Sequence, residues 1–234
     1  MEYKLSIVGT PIGNLEDISL RALKTLQAAD VILCEDTRTS LKLLNHFEIF
    51  NKSLLSYHNF NEKAMCPKII KLIKEENKKV ALISDAGMPC ISDPGFAIVQ
   101  AAKANEIFID VIGGPSALIC AIIKANFASQ FTFLGFLKDK SLARQNELKK
   151  LMPGTYVCYL SPHKLISTIN DFLVVFGDGV KLYLIKEMTK LHETSYEGSP
   201  SEILAKLPGN IKGEFTLVFL IQAKKLPKIN KYAK

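Results

Sequence analysis

Four short stretches hold most of the residues whose types and spacing could do chemistry: GTPIGNLEDIS (9–19), EDTR (35–38), SDAGMPCISDPG (84–95) and GGPS (113–116). The third packs two aspartates, two glycines and two prolines into twelve residues, more than a strand-to-helix link of a few residues requires. Glycine turns that run into helix starts expose backbone N–H groups, and such groups hold a carboxylate or a ribose. Polar side chains lie in or near these turns: Asn14 and Asp17, then Glu35, Asp36 and Arg38, then His58, Asn61 and Glu62. Singly, each stretch has a local explanation. Asp36 and Arg38 read as an ion pair capping the next helix, and Asp93-Pro94-Gly95 as a helix entry with Asp93 as N-cap. Four such stretches on one edge of one sheet make a ligand site the stronger reading.

Several familiar sites are excluded. Gly9-x-x-x-Gly13 is not the dinucleotide fingerprint, and no GxxxxGK[ST] loop occurs. GGPSA does not set Ser116 between the glycines of a nucleophile elbow. Cys34, Cys66, Cys90, Cys120 and Cys158 are scattered, with no CxxC or HxxxH spacing. They read as reduced thiols, and no metal site is expected.

The elements that must position these loops are legible from periodicity. KLSIVG (4–9), VILC (31–34), SLLSYH (53–58), VALIS (80–84) and FIDVI (108–112) read as strands. Between them lie helical segments over 20–29, with Ser19 as N-cap, and over 41–47, 62–76 and 96–104. Strands alternating with helices predict a mostly parallel sheet, and ligands bind beyond the carboxyl ends of such strands. Further helices are read over 117–125, 142–151, 164–175 and 201–206, and strands at 131–136, 155–160, 180–188 and 214–222. Their Phe, Tyr and Val content predicts a mixed sheet. The fold class is therefore α/β with two tandem α/β domains, residues 1–113 and 114–223, a ligand cleft between them, and a basic tail at 224–234.

Composition fits that picture. The chain has 234 residues and a formal net charge of +7. Five of its 30 bases lie in the terminal KKLPKINKYAK, leaving 25 against 23 acids. A second basic cluster, KDKSLARQNELKK (138–150), could neutralise phosphates. No membrane-length apolar run or leader-like segment is present, so a cytoplasmic protein with no membrane partner is expected.

In this order, GTPIGNLEDISLRAL, EDTRTSLKLLNHF, SDAGMPCISDPGF and GGPSAL resemble the tetrapyrrole-methylase-like family of S-adenosylmethionine-dependent methyltransferases. Within it they resemble the small-subunit ribosomal RNA cytidine-2′-O-methyltransferases. The resemblance continues through GFL (135–137), CYLSPHKL (158–165), KEMTKLHE (186–193) and KGEFTLVF (212–219). It implies an S-adenosylmethionine cofactor without metal, held by Asp85, Ala86, Gly87 and Met88 and by Gly114, Pro115, Ser116 and Ala117. It further implies methylation of a cytidine ribose in the decoding region of 16S ribosomal RNA or the small ribosomal subunit, by a homodimer. Asp36, Arg38, His58 and Glu62 are then candidates to orient RNA or activate the hydroxyl. Pro11, Gly13, Asn14, Lys138, Lys140 and Arg144 are candidate RNA contacts. The sequence departs from the family pattern at Met88 (usually threonine), Gly113 (usually proline) and Leu160 (usually an acid). The alternatives are a methyltransferase acting on a tetrapyrrole or other small molecule, and a non-catalytic RNA-binding relative.

Overall fold

The structure, a computed structural model, describes residues 4–223; the basic tail expected at 224–234 lies outside the described residues. Its contacts divide the chain into two units. The first runs to Cys120 and includes Thr189–Leu191; the second comprises Ala121–Met188 and the described residues from His192 on.

The first unit is built from β1 (Lys4–Val8), α1 (Leu20–Ala28), β2 (Val31–Cys34), α2 (Thr37–His46), β3 (Ser53–Ser56), α3 (Glu62–Lys74), β4 (Val80–Leu82), α4 (Phe96–Ala104) and β5 (Phe108–Ile112), and it takes in the start of α5 (Ala117–Ala125). Its five strands are all parallel, in the order β3-β2-β4-β1-β5. Strands covered by helices on both faces need apolar side chains on both faces. Accordingly β2 and β4 are buried at every residue, and β1 at all but Lys4. One core layer joins Leu5, Leu33 and Leu82 to Ile69 and Ile73 of α3 and Ile98 of α4. On the opposite face Val8, Ile32 and Ala81 pack on Ala22, Leu26 and Leu44 of α1 and α2. Burying each Leu or Ile contributes roughly 1.5–3 kcal/mol, which holds the sheet rigid beneath the loops at its carboxyl edge. Ser19 caps α1, accepting the Ala22 N–H at 3.1 Å.

The second unit contains β6 (Thr132–Phe136), α6 (Ser141–Leu148), β7 (Gly154–Leu160), α7 (Leu165–Phe176), β8 (Val180–Lys186), β9 (Thr194–Gly198), α8 (Pro200–Lys206) and β10 (Phe215–Ile221). The strand order is β6-β7-β10-β8-β9; β6 runs parallel to β7 and the other pairs are antiparallel, so the sheet is mixed. β9 is not anticipated by the sequence reading: TSYEG is polar and lies at the sheet edge, paired only with β8. Leu160, where the family commonly has an acid, is 6% exposed and belongs to this unit's core.

Candidate active site

The order of the first sheet creates a switch point. β1 and β4 are neighbours, yet the connection from β1 crosses towards β2 while that from β4 crosses towards β5 on the other side. A crevice beyond the carboxyl ends of two such strands is where open α/β sheets take ligands. The loops leaving β1 and β4 are stitched together there. The Thr10 N–H donates to the Gly87 carbonyl at 2.8 Å, and the Gly87 N–H returns a bond to the Thr10 carbonyl at 3.1 Å. Thr10 Oγ1 also donates to the Ser84 carbonyl at 3.2 Å. Gly87 has φ +82°, a left-handed conformation that glycine adopts without penalty.

The loop after β5 closes against the same point. The Gly9 N–H donates to the Ile112 carbonyl at 3.0 Å. A Cβ on Gly9 would lie 2.7 Å from the Gly114 nitrogen and 2.6 Å from Met88 Sδ; one on Gly114 would lie 2.8 Å from the Gly9 backbone. Two bare backbones in contact thus bring three loops into one wall, with Met88 packed over Gly9. Gly113 has open space where a Cβ would stand, so its glycine costs no contact.

Carboxylates gather along this edge. Asp85 accepts the Asp36 N–H at 3.3 Å, which ties the loop after β4 to the start of α2. Burial pushes the Glu35 carboxyl above its ordinary range, and the nearby Asp85 adds to the rise while His58 opposes it. Asp85 is raised by burial and by the charge of Asp36. Asp93 is pushed up to about 6 by burial and by the charges of Glu35 and Asp85, against a bond from Ser84. The same neighbourhood raises the Cys90 thiol to about 11, through burial and then the charges of Asp93 and Glu62. Burial is the main cause of each rise, and like charge adds to it, from Asp85 on Glu35, from Asp36 on Asp85 and from Glu35 and Asp85 on Asp93. Nδ1 of His58 is buried beside them without a hydrogen-bond partner.

The sequence candidates are distributed unevenly over this geometry. Asp36 is the N-cap of α2: its carboxylate accepts the Arg38 N–H at 2.8 Å and pairs with the guanidinium at 2.8 Å. Those bonds hold its carboxyl at about 2, so at neutral pH it is a weak base. His58 and Glu62 frame the start of α3. The His58 N–H is held by Asn61 Oδ1 at 2.9 Å, and Glu62 Oε2 accepts the Gly95 N–H at 3.2 Å. Of the residues expected at the cofactor, Met88 and Gly114 meet at Gly9, and a Cβ on Gly87 would lie 3.6 Å from the Pro115 carbonyl; Asp85, Ala86, Ser116 and Ala117 are their neighbours along the chain.

Of the expected RNA contacts, Gly13, Asn14, Lys138 and Lys140 are exposed. The Asn14 side chain caps a short 3₁₀ turn over Leu15–Asp17, and its N–H donates to Thr189 Oγ1 at 3.1 Å. Thr189, from the KEMTKLHE stretch, belongs with the first unit, and this bond is one of its ties there. Pro11 is buried and shapes its loop from beneath.

Two readings need correction. Arg144 is only 2% exposed and is no phosphate contact: it pairs with the buried Asp171 and donates to the carbonyls of Lys138 and Asp139 at 3.0 and 3.1 Å. Its charge is spent internally. Asp93 is not the N-cap of α4 either; Gly95, at φ +139°, occupies that place without a side-chain cap, and the Asp93 carboxyl joins the acidic group instead. The sequence reading therefore undervalued Asp93, and it left Glu35 outside the main candidates although both lie in quoted motifs.

Residues 4–204 match the model of the tetrapyrrole (corrin/porphyrin) methylases, and the chain belongs to this family. It is 53% identical over 220 residues to ribosomal RNA small subunit methyltransferase I of Mycoplasmopsis pulmonis, covering 94% of this chain and 98% of that protein. It is 45% identical to the protein of the same name from Thermotoga maritima, over 92% of this chain and 97% of that one. Among solved structures, its fold is similar to uroporphyrin-III C-methyltransferase from Thermus thermophilus (TM-score 0.64, 18% identity, covering 93% and 94% of the two chains). It is also similar to a diphthine synthase (TM-score 0.70, 13% identity, covering 94% and 90%).

Proposed function

We propose that this protein transfers a methyl group from S-adenosylmethionine to the ribose 2′-hydroxyl of a cytidine in the decoding region of small-subunit ribosomal RNA. The observation that carries the reading is the 53% identity, nearly end to end, with a ribosomal RNA small subunit methyltransferase I. The site agrees with it. S-adenosylmethionine presents a sulfonium and an ammonium, and the carboxyls of Glu35, Asp85 and Asp93 are each raised by burial and by a neighbouring like charge, a cost that a bound cation would relieve. The orphaned Nδ1 of His58 offers a further polar contact. The contact of the bare backbones at Gly9 and Gly114, with Met88 packed over it, joins the loops after β1, β4 and β5 into one wall, and the reading lays the cofactor against that wall. The residues present therefore fit the group, and no metal-ligand cluster occurs among the described residues.

When bound, S-adenosylmethionine supplies an electrophilic methyl on sulfur. The protein's share is alignment, worth up to roughly 7–11 kcal/mol, and removal of the hydroxyl proton, worth about 10²–10⁴-fold. In this reading the proton goes to the acidic edge, with Asp93, pushed up to about 6 by burial and by the charges of Glu35 and Asp85, as its acceptor. Asp36 and Arg38 act as a rigid corner that fixes Asp85 through the Asp36 N–H. Gly13, Lys138 and Lys140 contact RNA, the lysines through phosphates. The reading includes a homodimer working in the cytoplasm on the small ribosomal subunit; no helix among the described residues is long and apolar enough to cross a membrane. It is tested by mapping the methyl group: ribose methylation at one cytidine supports it, and base methylation or methylation elsewhere in the subunit refutes it.

A further inference from the structure

A second concavity lies at the opposite, amino-terminal edge of the first sheet. It is a groove of about 490 Å³ between α1, the end of α3 and the starts of β1 and β4. Its uncharged lining is mostly apolar, from Ala28, Ala29, Ile73 and Val80, with the neutral polar Ser6, Thr25 and Asn77 among them. Its rim carries five cations, Lys4, Arg21, Lys24, Lys78 and Lys79, and no carboxylate lines it.

The charges around this rim are not balanced. Asp110 pairs with Lys4 at 2.7 Å and with Arg21, so one anion serves two cations. Asp30 accepts the backbone N–H of Lys79 at 2.8 Å, which fixes the turn and leaves the Lys79 ammonium outward. Glu75 is 3.9 Å from Lys71; Glu76 shares the turn but does not line the groove. Among the described residues no carboxylate is paired with Lys24, Lys78 or Lys79. A mostly apolar lining under a cationic rim suits phosphodiesters, whose charges meet the lysines while a base or sugar covers the lining.

We infer that this groove is a second RNA-docking site, which grips the phosphate backbone of the same folded substrate that is modified at the carboxyl edge. The inference rests on the proposed function. Strand β1 links the two places: Lys4 is on the groove, and Gly9, one residue past Val8, is at the reacting edge. At about 3.3 Å per residue the sites lie roughly 17 Å apart. A free nucleotide cannot span that distance, whereas a folded RNA can. The groove therefore favours structured substrate over short fragments and adds affinity without touching the methyl-transfer chemistry.

The test compares the full protein with a triple variant, Lys24→Gln/Lys78→Gln/Lys79→Gln, and with a charge-matched control, Lys42→Gln/Lys68→Gln/Lys103→Gln, on other exposed surfaces. Binding to small ribosomal subunits is measured directly across a salt series, with S-adenosylmethionine and ADP binding measured alongside. At roughly 0.7 per lost phosphate contact, the log–log salt slope of the groove variant should flatten by about 2. Its KM for subunits should rise at least tenfold, with kcat and cofactor affinity unchanged and the control near wild type. Unaltered slope and KM in the groove variant, or equal losses in the control, would overturn the inference. Loss of ADP binding without loss of subunit affinity would assign the groove to a small nucleotide and overturn it as well. Binding is read without turnover, so an unsubstituted protein that binds subunits but methylates none refutes the proposed function alone.

Discussion

Removing Arg144 should damage the second unit more than any surface lysine can. Its guanidinium meets Asp171 through Nε at 2.7 Å and Nη2 at 2.6 Å, the carbonyls of Lys138 and Asp139 through Nη1, and Ser167 Oγ through Nη2 at 3.2 Å. Asp171, 3% exposed, also accepts Ser141 Oγ at 2.6 Å and Gln145 Nε2 at 2.7 Å. Burial alone would raise the Asp171 carboxyl, but these bonds and the guanidinium charge hold it below the ordinary carboxylate range. Arg144→Met leaves a buried carboxylate without its cation, a change that costs about 3–5 kcal/mol. Arg144→Met/Asp171→Leu removes both charges and should recover much of that loss, leaving about 1–2 kcal/mol for two carbonyls without donors. Urea unfolding followed by far-ultraviolet circular dichroism measures both, since the chain has no tryptophan. Because the folded carboxyl is lowered, its contribution is present above the ordinary value of 3.8 and is lost as pH falls through the lower folded value. The cost of Arg144→Met should accordingly shrink in acid. A single variant losing under 1 kcal/mol at pH 7, or a double variant worse than the single, would refute the reasoning.

Other outcomes follow from the first unit. Gly114→Val would set a branched side chain 2.8 Å from the Gly9 backbone, and calorimetry should find S-adenosylmethionine binding lost while the second unit stays folded. Asp93 is held near 6 against an ordinary 3.8, so the fold favours its protonated form: its contribution is fully present below 3.8 and is lost as pH rises through about 6. Asp93→Asn should therefore gain stability relative to wild type at pH 7.5 and show no such gain at pH 3.5, read from urea midpoints; it should also lower kcat by about 10²-fold or more. Glu35→Gln removes a like charge and should lower the Asp93 pKa, followed by carboxyl nuclear magnetic resonance. Lys138→Gln/Lys140→Gln should weaken subunit binding and leave cofactor affinity alone, since both side chains are exposed and Arg144 supports the loop from inside.

Much of this architecture was legible because buried parallel strands need continuous apolar runs. VILC is such a run, buried throughout; FIDVI lies at the sheet edge and is exposed or half-buried except at Ile112, yet it and the helices over 96–104 and 117–125 fall where the alternation of strand and helix puts them. Strand β9 escaped because an edge strand made of TSYEG has no apolar alternation to reveal it. The order β3-β2-β4-β1-β5 is also invisible to local pattern: it depends on which helices cover which strands. At the site, motif spacing located the loops, while the roles of single residues turned on partners distant in sequence. Arg144 looks like one more base in a charged helix until Asp171, 27 residues on, is placed beside it. Asp93 looks like a helix cap until the positive φ of Gly95 takes that position and the carboxyl meets Glu35 and Asp85.

The most direct test of the proposed function incubates the protein with methyl-labelled S-adenosylmethionine. The substrates are small ribosomal subunits from cells lacking the modification, with naked ribosomal RNA and a tetrapyrrole mixture in parallel. Label confined to the 2′-oxygen of one cytidine in the decoding region is the predicted result. Cofactor binding with no label in RNA, or label in the tetrapyrrole fraction, would contradict it.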